Sequence, residues 1–172
     1  KFQFILFLKE HIEDKSYKEV NVLGSKVKFF IPNKAVDLRV KRIFSKEPGT
    51  LKWIDNFKND ENTIFWDIGA NIGLFSLYAS QKHNNIKIFS FEPSTSNLRV
   101  LSRNISINKL QERILINQFP LTNNENSYLD LKETRFQEGC SLNTFGEDFG
   151  HDGNKIYEKN SYKVFGNNIN NL

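Results

Sequence analysis

Apolar and polar residues alternate in one early stretch and recur at helical spacing on either side of it. VNVLGSKVKFFI (20–31) places Val20 and Val22 on one arm and Val27, Phe29 and Ile31 on the other, about a polar LGSK centre. A period of two across a glycine turn predicts a β-hairpin, closed by Pro32 and Asn33. Residues 34–46 set Ala35, Leu38, Arg42 and Ile43 three or four apart, which predicts a helix. EPGT breaks it, and Thr50 is expected to cap a second short helix, LKWIDNF, with Leu51, Ile54 and Phe57 on one face. Ahead of these, KFQFILFLKE has an apolar run of about seven residues, too short to span a bilayer. Charges follow it at once and no small-residue cleavage site appears, so it predicts a packed N-terminal helix.

From residue 63 the pattern changes. TIFWD is a short apolar run, as expected of a strand buried on both faces. GAN turns the chain, and IGLFSLYASQ is a helix with Leu74, Leu77 and Tyr78 on one face. IKIFSFE is a second strand. Ser94 caps a further helix carrying Leu98, Leu101 and Ile105, and RILINQF is a third strand. Strand, helix, strand, helix, strand with short links predicts an α/β fold around a parallel sheet, with right-handed crossovers and helices on both faces. Beyond Pro120 the period fades. SYLDL (127–131) reads as a fourth strand, 132–160 as a loop or lid, and SYKVF as a short final strand. The expected organisation is an extension over 1–46, an α/β core over 47–131, and a lid with a C-terminal part over 132–172.

Composition adds boundaries. The 172 residues suit one domain, and sixteen Phe within a 38% hydrophobic content supply a core. The net charge of +4 is a mild basic bias that permits anionic partners without demanding them. Its densest patch, VKRIFSK (40–46), reads as the solvated face of a helix. A single cysteine, Cys140, excludes a disulfide framework and fits a reducing, cytoplasmic setting; it reads as an ordinary loop residue. His11 and His151 lack partners at metal-ligand spacing, and His83 is expected at the surface. Trp53 and Trp66 are expected in packing, and the sequon at Asn104 falls on a helix by chance. The chain contains no Met, which suggests a piece of a longer one.

The chemistry concentrates in FWDIGANIGLFSLYAS (65–80). In an open parallel sheet, ligands bind at the carboxyl ends of the strands where their order reverses. Gly69 lets the chain approach a ligand, Gly73 lets the helix pack close to its strand, and the helix start offers free N–H groups. Asp67 at the strand end would repel a pyrophosphate, and GANIG lacks the middle glycine of the dinucleotide fingerprint. With no GK[ST], a P-loop is excluded too. Glu92 closes the second strand, about 25 residues on, near the spacing at which an acid accepts from ribose hydroxyls. One carboxylate facing a cationic end and another holding a ribose match S-adenosylmethionine (SAM).

FWDIGANIGLFSLYA, FSFEPSTSNLRVLSRNISIN and RILINQFPL together resemble the FkbM family of class I SAM-dependent methyltransferases, over about Glu47 to Ser141. The resemblance implies a Rossmann-like sheet and SAM as cofactor. It implies that Asp67, Gly69, Ala70, Asn71 and Gly73 line the methionine part, and that Glu92 binds the ribose. Pro93 and Ser94 would flank the adenine and Phe119 border it. Glu47 resembles an acidic residue ahead of the first strand that contacts the cofactor. The acceptor implied is a hydroxyl on a sugar, glycan or natural product; the rivals are RNA methylation and a non-catalytic binding or assembly module. The family's later K-x-D-x-E-G motif is absent, so the far part of the sheet is expected to be missing. No catalytic base and no metal ligand is assigned.

Overall fold

The alternating stretch folds as an antiparallel hairpin of β1 (Tyr17–Val22) and β2 (Ser25–Phe30) in the computed structural model, which describes residues 1–123, 125–150 and 152–172. His151 lies outside the described residues. Next come α2 (Lys34–Lys41) and α3 (Pro48–Asp55). Helix α3 starts three residues earlier than expected, with Glu47 in the capping position and Thr50 inside the first turn. Pro48 explains this, because its fixed φ and missing N–H suit the first helical position.

The central unit is β3 (Ile64–Ile68), α4 (Leu74–Lys82), β4 (Lys87–Phe91), α5 (Thr95–Ile107) and β5 (Ile114–Asn117). The three strands pair in parallel in the order β3-β4-β5. As read, Ser94 caps α5, its hydroxyl accepting from the Asn97 N–H. The order is sequential, so the site at the strand ends does not sit at a reversal among these strands. Strand β3 is also not buried on both faces. Phe65 and Asp67 are buried, whereas Ile64, Trp66 and Ile68 on the other face are exposed.

One hydrophobic core joins the hairpin (Val22, Val27, Phe29), α2 (Val36, Val40) and the central unit (Leu77, Ile88, Leu101). Two asparagines one turn apart, Asn104 on α5 and Asn108 at its C-terminal cap, pair the outer edge of β2. Asn104 Oδ1 accepts the Phe30 N–H at 2.8 Å, and Asn108 Oδ1 accepts that of Lys28 at 2.9 Å. Asn104 is thus fully buried, with its amide donating to the Ile72 carbonyl, and offers no acceptor for a glycan. His83 is likewise buried rather than at the surface: Nε2 lies 2.8 Å from the Ile54 carbonyl and the ring stacks on Phe57. Trp53 and Trp66 touch neighbouring rings but remain exposed.

Beyond β5 a second sheet forms where little period was legible. Its order is β6 (Leu121–Thr122), β9 (Asn160–Asn168), β7 (Ser127–Glu133) and β8 (Thr144–Phe145). The segment 132–160 is therefore only partly loop. At the other end, the expected packed helix forms as α1 (Phe2–Lys15) but buries no residue. Its apolar side chains encircle the helix instead of lining one face, and Glu13 anchors it to Arg99 and Arg103 at 2.5 and 2.6 Å. Among the described residues no helix is long and apolar enough to cross a membrane.

Candidate active site

Asp67 is the penultimate residue of β3 and is almost fully buried. Its Oδ2 accepts the backbone N–H of Ser76 at 3.1 Å and the Ser76 hydroxyl at 2.5 Å. One free N–H of the α4 start is thus spent on Asp67, not on a ligand. Oδ1 has no donor among the described residues, and Asp67 borders a cavity. Burial pushes the Asp67 carboxyl up to about 6, against the two Ser76 bonds, with the charge of Glu47 adding to the rise.

Residues 69–73 fold back over the end of β4. The N–H groups of Gly69 and Ala70 both donate to the Phe91 carbonyl, at 2.9 and 3.0 Å. Gly69, Asn71 and Gly73 all adopt left-handed φ, of 75°, 53° and 83°. Asn tolerates that region better than other side chains with a Cβ. Gly73 serves helix–helix approach more than helix–strand packing: a Cβ there would stand 2.6 Å from Leu101 Cδ1 of α5.

Glu92 follows β4 directly and is buried. Oε2 accepts the Asn71 N–H at 2.7 Å and Oε1 the Ser94 N–H at 2.9 Å. Burial raises its pKa; the bonds from Ser94, Asn71 and Asn97 oppose the rise, and the nearby Asp67 charge adds to it. An ionised carboxylate offers about four lone-pair sites, so acceptor capacity remains on the cavity side.

A strap from the 132–160 segment crosses this edge. The Gly139 N–H donates to Asn97 Oδ1 at 2.9 Å, and the Gly139 carbonyl accepts from Arg39 Nε. The Cys140 carbonyl accepts from both Asn71 Nδ2 (2.7 Å) and Asn97 Nδ2 (3.1 Å). Glu138 pairs with Arg99 at 2.7 Å.

The strap parts the cleft into two adjoining cavities, of about 270 and 240 Å³, with Gly69, Asn71 and Ser141 bordering both. The first holds Glu92, Pro93, Phe119 and Asn97. The second holds Asp67, Ala70, Glu47, Arg39 and Arg42. Each alone is smaller than a typical small-molecule site of about 300–1,000 Å³; together they fall within it. A larger cavity of about 720 Å³ lies between α1 and α5. It stands away from the strand ends, and its Glu13, Arg99 and Glu138 are already paired with one another or with Arg103.

Of the residues expected at the site, Asp67, Gly69, Ala70, Asn71, Glu92, Pro93, Phe119 and Glu47 border these cavities. Gly73 and Ser94 do not: Gly73 shapes the turn, and the Ser94 hydroxyl is turned to Glu133 at 2.5 Å. Arg39, Arg42, Asn97 and the Cys140 carbonyl were not expected. Arg42 belongs to the patch read as a solvated helix face; it is exposed, but toward the cavity. No signal in the sequence marks a backbone carbonyl 69 residues from Asn71. Among the described residues, no cluster of His, Cys, Asp or Glu suits a metal ion.

No family model matches the chain. It is similar to the methyltransferase sdnD of Sordaria araneosa, with 51% identity over 47 residues, 27% of this chain and 18% of the relative. Solved structures with a partial likeness include TYW2 of P. horikoshii in complex with MeSAdo (21% identity, TM-score 0.43, 61% of this chain and 36% of that one). Another is precorrin-6y C5,15-methyltransferase from Geobacter metallireducens (24% identity, TM-score 0.37, 42% and 36%). The chain thus spans about a fifth of the length of the curated relative it matches, and what it shares with that relative is a 47-residue segment of a methyltransferase.

Proposed function

We propose that this chain carries the cofactor-binding part of a SAM-dependent methyltransferase of the FkbM type, acting on a hydroxyl of a sugar, glycan or natural product. The observation that carries the reading is the pair of buried carboxylates, Asp67 and Glu92, closing adjacent parallel strands and bordering adjoining cavities. The local identity to a curated methyltransferase supports it. The cavities fit the cofactor's parts. Glu92 has acceptor capacity for ribose hydroxyls beside Pro93 and Phe119, and Asp67 Oδ1 is a spare acceptor for a cationic end.

When bound, the cofactor supplies an electrophilic methyl group. The chain's own residues hold and orient it: Glu92 and the Asn71 N–H fix the turn, and the strap screens the cleft from water. Calorimetric titration with SAM and with S-adenosylhomocysteine tests the reading. Saturable binding that Glu92→Ala abolishes is expected; absence of heat with both compounds overturns it.

A further inference from the structure

Glu133 ends β7, is only 1% exposed, and borders neither site cavity. Three side chains donate to it. The Ser94 hydroxyl reaches Oε1 at 2.5 Å, Asn160 Nδ2 reaches Oε2 at 2.8 Å, and the Tyr162 hydroxyl stands 3.4 Å from Oε1. All three donors are neutral. Burying an acid is costly unless its acceptors are used, and an apolar replacement for such a buried network can be nearly neutral. Packing β7 against β9 therefore does not by itself call for an acid here. What the acid does is fix Ser94. A serine hydroxyl has one proton. With that proton given to Glu133, Ser94 Oγ offers a lone pair to the Asn97 N–H at 3.4 Å, and the Ser94 N–H donates to Glu92 Oε1 at 2.9 Å. Tyr162 of β9 adds a second fastening, its hydroxyl accepting the Thr95 N–H at 3.1 Å. The second sheet thus grips two consecutive residues at the start of α5, and the first of them holds Glu92.

We infer that Glu133 is a positioning residue for Glu92: by fixing the Ser94 hydroxyl it sets the plane of the Glu92 carboxylate, whose spare lone pairs then meet the ribose hydroxyls. This rests on the cofactor reading above. It goes beyond that reading by making the second sheet, which borders the site from outside the strand–turn–helix unit, a determinant of how strictly a ribose is required.

The test compares two ligands by calorimetry on the 172-residue chain: S-adenosylhomocysteine and its 2′,3′-dideoxy analogue, which lacks both ribose hydroxyls. The readout is the ratio of the two affinities, which a general loss of stability does not move. The unaltered chain is expected to prefer the hydroxylated ligand by about tenfold or more. Glu133→Ala should reduce that preference to within about threefold, and Glu133→Gln, which keeps an acceptor for the Ser94 hydroxyl, should restore most of it. Ser94→Ala removes the same link from the other side and decides the matter should Glu133→Ala not fold; it too should lose the preference. An undiminished preference in Ser94→Ala or in folded Glu133→Ala overturns the inference and leaves the cofactor reading standing, as does equal loss in Glu133→Ala and Glu133→Gln. Equal affinity of the unaltered chain for the two ligands overturns the inference as well. Binding of neither by the unaltered chain removes the cofactor reading itself, and the inference with it.

Discussion

Glu92 Oε2 accepts the backbone N–H of Asn71 at 2.7 Å, so the acid that closes one strand holds the turn that follows its neighbour. The same carboxylate holds the start of α5 through the Ser94 N–H. Glu92→Gln keeps one acceptor oxygen and loses the charge. A hydrogen bond to a charged group contributes about 1.5–3 kcal/mol, so S-adenosylhomocysteine affinity is expected to fall roughly ten- to hundredfold. Titration calorimetry measures it, and unchanged affinity rules out Glu92 as a contact.

Asp67 makes stability depend on pH. Its carboxyl sits at about 6 in the folded chain, against about 3.9 when unfolded. The folded state therefore holds an extra proton between those values. The contribution is present in full below about pH 4, is lost as pH rises through about 6, and is flat above. A shift of about two units corresponds to about 3 kcal/mol. Asp67→Asn, which can still accept from Ser76, should be more stable than the unaltered chain at pH 7.5, and the advantage should vanish near pH 4. Urea midpoints at both pH values check this.

Binding should run the other way. If Asp67 faces a cation, its ionised form is the competent one. S-adenosylhomocysteine affinity then rises with pH through about 6 in the unaltered chain, and that rise is much reduced in Asp67→Asn. A pH series of titrations on both proteins decides it.

The two turn glycines should fail differently when changed to Ala. Both have positive φ, a strain of about 1–2 kcal/mol for a residue with a Cβ. At Gly73 the added methyl also meets Leu101 at 2.6 Å and Leu77 at 3.2 Å, which adds about 1–3 kcal/mol of overpacking. At Gly69 nothing lies within 4 Å. Gly73→Ala should lose stability, and Gly69→Ala should keep most of its stability while losing ligand affinity. Denaturation curves and titrations on both variants separate the two.

Asn97 ties the strap from both sides, accepting from Gly139 and donating to the Cys140 carbonyl. Asn97→Ala leaves the buried Gly139 N–H without its partner, a loss of about 1–3 kcal/mol at most, while the Cys140 carbonyl keeps only its bond from Asn71. Limited proteolysis should then cut within 134–143 faster than in the unaltered chain. An unchanged cleavage rate shows that the strap is held by other contacts.

The sequence made local features legible where one residue type had one physical use. The hairpin, the three parallel strands and the Ser94 cap follow from period and capping chemistry. Asp67 and Glu92 stood out because each closes an apolar run at the edge where an open parallel sheet binds ligands. Long-range pairing was less legible. His83 is buried by a bond to Ile54, 29 residues away, and Arg39 enters the cleft through a bond to Gly139. The second sheet pairs strands of mixed polarity, such as NSYKVFGNN, whose neighbours in space no local period announces.

The clasp on Cys140 grips a main-chain oxygen, so it is indifferent to which side chain grows from that residue. Cys140→Ser should leave the strap latched, whereas shortening the chain there by one residue should unlatch it. At this position the spacing of the polypeptide is the information, and its lettering is not.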